Sequence, residues 1–183
     1  MKKIVTFVIF MIAILSTNFL NADELKEKKL TSSYTSIAEK DCMTLDSDDL
    51  GSIQECEPFF NIRVKVIEGD IRQSITLIRD IKEYDLDFSS TVTSAFSSLG
   101  SKIEWLHEID KPENLKGMIV RLNANEEMEG AEHLSSYLVV SKISLNEICV
   151  IGKILPQENQ NQVARKMLEN ADQVPCLKDR NKN

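Results

Sequence analysis

Histidine is scarce in this chain. There are two, His107 and His133, and neither lies near a cysteine in sequence. No C-x-x-C pair occurs, so the spacing of a zinc site is missing and no metal is expected. Lysine and arginine never cluster, which argues against nucleic acid and anionic lipid as partners, because both are held by basic patches. There is no G-x-S-x-G, no P-loop and no dinucleotide fingerprint, hence no motif for a serine elbow or a nucleotide, and no cofactor is expected. No apolar run reaches the roughly 20 residues of a membrane span. No internal repeat is found.

What is present begins at the N-terminus. Lys2 and Lys3 precede an apolar run from Ile4 to Leu15, broken only by Thr6, and small and polar residues follow up to Ala22. This is the pattern of a secretory signal peptide, residues 1–22, with cleavage expected after Ala22. Leu20 fits the −3 position less well than alanine would, and an uncleaved N-terminal anchor is the competing reading. No cysteine lies near the cut, so no lipoprotein signal is read. Cleavage leaves 161 residues. It removes Lys2 and Lys3 and no acid, taking the net charge from −7 to −9. That length fits one domain with its own core. The expected location is the periplasm or the outside of the cell, with no stable membrane insertion after cleavage.

Four cysteines remain, Cys42, Cys56, Cys149 and Cys176. An even count in an exported chain points to disulfides, and four allow three pairings. Cys42–Cys56 and Cys149–Cys176 are favoured because each closes a local loop. In the chain-entropy model such loops contribute about 3–4 kcal/mol each.

The stretch from Asn61 to Arg79 organises the rest. Two runs rich in Val, Ile and Thr, Arg63–Ile67 and Ile71–Arg79, flank Glu68-Gly69-Asp70 and read as an antiparallel hairpin. Ile62, Val64 and Val66 alternate with Arg63, Lys65 and Ile67. In the partner strand Gln73 falls out of pattern. Upstream, residues 23–33 read as a flexible linker, and 34–60 as a loop with one short strand near Ile53–Cys56. Downstream, Lys82–Phe88 is a ragged edge strand or loop, and Ser89–Ser101 is undecided. Lys102–Glu108 is a strand with Ile103 and Trp105 on one face and Lys102 and Glu104 on the other. Pro112 breaks the chain. Leu115–Leu122, Ser136–Ile143 and Ile148–Ile154 are further strands, the last two apolar enough to be central. Asn123–Ser135 is an exposed acidic loop. Glu158–Asp172 is a helix whose stripe is Val163, Ala164, Met167, Leu168 and Ala171, capped by Asn159 or Asn161 and followed by Pro175.

Several clusters suggest chemistry. Asp46–Glu57 partly matches a calcium loop, with Asp at positions 1 and 3, Gly at 6 and Glu at 12, but Leu50 at position 5 offers no oxygen. An acidic surface loop is the simpler reading. Asp70, Arg72, Glu104 and Arg121 sit in or beside apolar strands and form the candidate polar surface site. They either bind a polar ligand or do acid–base chemistry, or they are cross-strand pairs and turn chemistry, which is favoured. Trp105 reads as a core residue under the helix. His107 and His133 read as plain strand or surface residues.

The order of segments YTSI (34–37), Asp41-Cys42, Cys56, VIEGDIRQS (66–74), FSSLGSKIEW (96–105), MIVRL (118–122), YLVVSKIS (137–144), CVIGKI (149–154), the helix with Ala164-Arg165 and Ala171-Asp172, and Cys176 resembles a group of small exported four-cysteine proteins of alphaproteobacteria. The Glu-Gly-Asp-Ile-Arg and Lys-Ile-Glu-Trp segments carry it most specifically. The resemblance covers nearly all of the mature chain. It implies the domain limits and the cysteine plan, and no activity. Two positions depart from the group: Glu57-Pro58-Phe59-Phe60 stands where relatives are glycine-rich, and Leu106 where they have arginine. A shared site using that arginine is not carried over.

The expectation is one α+β domain, residues 34–178, before a polar tail, 179–183. It has a mostly antiparallel sheet of five to seven strands with the C-terminal helix on one face. The functional expectation is a non-catalytic envelope or interaction module that binds an envelope protein or ligand through the sheet face or the 123–135 loop. The alternative is a small periplasmic hydrolase using Asp70, Glu104 and Arg121.

Overall fold

The hairpin forms as β4 (Ile62–Gly69) against β5 (Arg72–Arg79), with every residue from Ile62 to Gly69 paired antiparallel. Ile71 belongs to the turn rather than the strand, because Asp70 and Ile71 both have positive φ, 50° and 58°. A two-residue turn needs that geometry to follow the twist of its strands. The computed structural model describes residues 29–126 and 134–179. Around the hairpin lie β1 (Leu30–Ser36), β2 (Met43–Ser47), β3 (Gly51–Phe59), β6 (Lys82–Asp85), α1 (Phe88–Thr91), β7 (Phe96–Glu108), β8 (Lys111–Asn125), β9 (Leu134–Ile143), β10 (Ile148–Ile154) and α2 (Gln160–Glu169).

The expected α+β domain with five to seven strands is therefore corrected. Strand accounts for 60% of the structure and helix for 14%, in one sheet of ten strands. The order is β10-β9-β8-β7-β5-β4-β3-β2, with β1 on β7 and β6 on β5. The sheet has two five-stranded halves, β1 and β7–β10 in one, β2–β6 in the other. A single parallel pair, Arg72 with Ser97, joins them. The halves face each other across the main core. Ile103, Trp105, Met118, Val120 and Val139 come from one side, Ile62, Val64, Ile75 and Leu77 from the other, and Phe88 of α1 fills one margin. A second, smaller core lies on the outer face of the β7–β10 half. There Leu106, Ile119, Leu138, Val140 and Ile151 pack against Ala164 and Leu168 of α2.

Other corrections follow from burial. Trp105 is a core residue, but between the halves and not under the helix; Leu106 faces the helix. Pairing begins at Leu30, four residues before the expected start, and Pro112 sits inside β8 near its first residue, where a strand tolerates it. β10 ends the strand order instead of lying centrally. Its outer side receives Leu177, whose N–H donates to the Val150 carbonyl at 2.8 Å. The ends of the expected acidic loop are strand, with Asn123 opposite Ser136 and Asn125 opposite Leu134. The signal peptide, the first part of the linker, loop residues 127–133 with His133, and tail residues 180–183 lie outside the described residues. Among the described residues no helix is long and apolar enough to cross a membrane.

Two disulfides close, Cys42–Cys56 and Cys149–Cys176. The second ties the segment after α2 to β10. Gly117 on β8 permits the close approach of α2: a Cβ there would stand 2.5 Å from Leu168 Cδ2 and collide with the Ser141 carbonyl oxygen. The backbone oxygen cannot yield, so only glycine fits.

Candidate functional site

Asp70 and Arg72 lie at the β4–β5 turn and pair with each other. Arg72 also donates from Nε to the Ser94 carbonyl at 2.9 Å and lies 4.7 Å over the Phe96 ring. It therefore clasps the turn to the entry of β7, beside the joint between the halves. Its register partner Ser97 is seven residues before Glu104. At about 3.3 Å per residue, Glu104 is on the order of 20 Å away. The candidate set is thus split: Asp70 with Arg72 at one end of the sandwich, Glu104 and Arg121 on the outer face beneath α2.

Glu104 accepts from Ser32 Oγ at 2.5 Å and from Arg165 Nε and Nη2 at 2.5 and 3.1 Å. Arg165 Nη2 also donates to the Tyr34 hydroxyl at 3.2 Å. Burial pushes the Glu104 carboxyl up, but the hydrogen bonds from Arg165 and Ser32 and the charge of Arg165 outweigh it, so the group stays below the ordinary 4.5. The same contacts push Arg165 up. Arg121 Nη1 donates to Ser136 Oγ at 2.7 Å and to Gln160 Oε1 at 3.4 Å, and Gln160 Nε2 in turn donates to the Ser136 and Ile154 carbonyls. Both sets hold α2 on the sheet, one at each of two points along it.

The pH consequence has a definite sign. Glu104 takes up its proton at a higher pH when unfolded than when folded. Its contribution to stability is complete above about 4.5 and is lost as pH falls through the lower folded value. We expect Glu104→Gln to cost about 2 kcal/mol at pH 7. That is less than the roughly 3–5 of a fully buried broken pair, because the Arg165 side chain is 37% exposed. Urea titrations should show the difference between variant and parent shrinking toward pH 3. An equal difference at both pH values would contradict this assignment.

His107 is buried rather than superficial. Its Nε2 is 2.9 Å from Ser33 Oγ and its Nδ1 2.9 Å from the Glu108 carbonyl. This is a serine–histidine contact, but both side chains face the interior beside the Phe59 ring, 5.7 Å away. Neither residue lines any of the clefts described here. We read it as a satisfied core pair. The segment matched to a calcium loop is the β2–β3 hairpin. Its Asp48 carboxylate accepts the Leu50 and Gly51 N–H groups at 2.8 and 3.0 Å, so it shapes the turn.

The feature that sequence reasoning did not assemble is the mouth of the sandwich at the Asp70 end. The apolar inner row of β4, Ile62-Val64-Val66, finishes in Glu68. The inner row of β5, Leu77-Ile75, finishes in Gln73, directly opposite Glu68. Gln73 donates from Nε2 to Glu68 at 2.8 Å and accepts the Leu99 N–H at 2.7 Å. Buried Gln54 of β3 stands beside them. Above this floor opens a cleft of about 530 Å³, rimmed by Glu39, Asp48 and Asp49. Two smaller clefts, about 290 and 200 Å³, adjoin it, and Glu68 lines all three. The smallest reaches Phe96 and Leu134. Carboxylates dominate here, and the arrangement suits a cationic ligand. The signal in the sequence was Gln73, the one residue that broke its strand's alternation.

Comparison with family models, curated proteins and solved structures gave no match.

Proposed function

We propose that the chain is an exported, non-catalytic interaction module that takes a cationic segment of an envelope protein at the acidic mouth of its sandwich. The two disulfides fit an oxidising compartment outside the cytoplasm. The periplasmic or secreted location and the signal peptide after which it would be cleaved belong to this proposal, as does kinship with the exported alphaproteobacterial group.

One observation carries the reading. On β3–β5 the core-facing row of Cys56, Val64, Val66, Ile75 and Leu77 gives way at this end to Gln54, Glu68 and Gln73, where the clefts open. Polar groups kept on a core-facing row lose packing and need a purpose. The other expected surface, the outer face of β3–β6, neutralises itself through Arg63–Glu55 at 2.6 Å and Lys65–Glu83 at 2.9 Å. The hydrolase alternative needs Asp70 and Glu104 around one substrate atom, and about 20 Å separates them.

The test is affinity capture from the source cell's envelope fraction with the oxidised chain from Asp23 onward, identified by mass spectrometry. A double variant, Glu68→Gln with Asp49→Asn, should retain the partner at least tenfold less well while its thermal midpoint moves by no more than a few degrees. Undiminished capture by that variant would remove the cleft from the account.

A further inference from the structure

The acidic mouth is also lined by apolar side chains. Leu50 is 76% exposed there, Ile71 65%, Leu134 61% and Phe96 47%. Backbone hydrogen bonds tie the segments that carry three of them. The Asp70 N–H donates to the Leu50 carbonyl at 2.9 Å, and the Ser97 N–H donates to the Ile71 carbonyl at 3.1 Å. The β2–β3 turn, the β4–β5 turn and the entry of β7 therefore form one ledge, set before any partner arrives.

Ile71 is the member of this ledge that the fold does not explain. Its φ is 58°, and among the described residues it is the only β-branched residue with positive φ. That conformation is strained for a branched side chain, whereas Asn or Gly makes the same turn without strain. Strain kept at an exposed position marks a residue with a use beyond the fold. Ile71 lies where the acidic cleft meets the smallest one, and Leu50 where it meets the third. The cleft beyond Leu50 contains the half-buried cross-strand pair Ile53 and Ile67, beside Asp46. The cleft beyond Ile71 contains Phe96 and Leu134. Arg72 packs over Phe96 at 4.7 Å but is itself paired with Asp70. Apolar surface thus flanks the carboxylates on both sides, and Glu68 lines all three clefts.

We propose that the segment bound at the mouth is extended and reads apolar–x–basic–x–apolar, with its cation on Glu68 and its two apolar side chains in the flanking clefts. Ile71 is the residue that selects for them. This rests on the mouth being a cation site. The spacing follows from the strands. From β3 to β7 there are three strand spacings, about 14 Å. In an extended chain residues i, i+2 and i+4 share one face and span about 13 Å. In a helix residues i and i+4 are only about 6 Å apart along the axis, too close to reach both clefts.

The probes are three capped heptapeptides, titrated into the isotope-labelled, oxidised chain from Asp23 onward and followed by amide chemical shifts. Gly-Leu-Ser-Lys-Ser-Leu-Gly carries the pattern. Gly-Ser-Leu-Lys-Leu-Ser-Gly has the same composition with both leucines on the face opposite the lysine, and Gly-Leu-Ser-Gln-Ser-Leu-Gly lacks the cation. The patterned lysine peptide should bind roughly tenfold tighter than either of the others. Ile71→Asn should reduce the preference over the shuffled peptide to about threefold or less, while the thermal midpoint holds or rises because asparagine accepts the turn. Glu68→Gln should weaken both lysine peptides. Equal binding of the two lysine peptides, each weakened by Glu68→Gln, would overturn the pattern and leave the cation site standing. Equal binding of the patterned lysine and glutamine peptides, or no binding of any peptide at millimolar concentration, would overturn the cation site and the pattern with it. A preference fully kept by Ile71→Asn would overturn the role given to Ile71.

Discussion

Replacing Trp105 with alanine lowers the free energy of unfolding by about 3–5 kcal/mol, the range for deleting a large buried aromatic side chain. The residue is fully buried at the centre of the main core. Its ring stacks on Phe59 with centroids 5.1 Å apart and planes 6° from parallel, so it bridges the two halves of the sheet. Its indole N–H donates to Thr35 Oγ1 at 2.8 Å, which fixes β1 on the same side of the core. Alanine leaves a cavity lined from both halves and strips Thr35 of its donor. Trp105→Phe separates the two contributions. It keeps the stacking and loses the hydrogen bond, and is expected to cost about 1–2 kcal/mol. Since Trp105 is the chain's only tryptophan, unfolding is followed by far-ultraviolet circular dichroism in urea. A loss under about 1 kcal/mol for the alanine variant would mean that the halves do not pack through this residue.

Removing the Cys149–Cys176 bridge by a double serine substitution is expected to cost about 3.5 kcal/mol, from the chain entropy of its 27-residue loop. The bridge closes the loop that contains α2. It also holds the following segment where Leu177 covers β10 and where Lys142 Nζ donates to the Val174 carbonyl at 3.1 Å. Opening it should therefore act locally as well as globally. Hydrogen exchange at the Leu177 amide should accelerate more than at amides of the β4–β5 hairpin. Uniform acceleration across the chain would place the whole effect in the unfolded state. A loss no larger than about 1 kcal/mol would contradict the structural role given to the bridge.

These two residue sets also mark how far the sequence could be read. The β4–β5 hairpin, the Met118-Val120-Leu122 face of β8 and the α2 stripe apart from Val163, which is exposed, were legible because apolar residues recur there at the period of the element. β1 and β2 left none. β1 turns Thr35 and Ser33 inward, where hydroxyls meet Trp105 and His107, and all five residues of β2 are exposed. Missing them turned a ten-stranded sandwich into a smaller α+β sheet. Alternation also grouped Ile103 with Trp105 correctly without telling which face would meet the helix. The choice went wrong because both faces of β7 are buried. The candidate polar set failed for a related reason. Glu104 and Arg121 share one face only through the β7–β8 register, and their partners Arg165 and Gln160 come from a helix far along the chain. Glu68 and Gln73 were visible as a turn residue and a break in pattern, and only the register shows that they face each other.

The claim on which the functional account rests is that binding occurs at the mouth formed around Glu68. It is tested most directly by placing a photo-crosslinking amino acid at Ile71, which lines two of the clefts, and separately at Glu83 on the outer face of the β2–β6 half, then irradiating cells that produce each protein. The account predicts a discrete adduct from position 71 and none from position 83. Adducts from position 83 alone would contradict it.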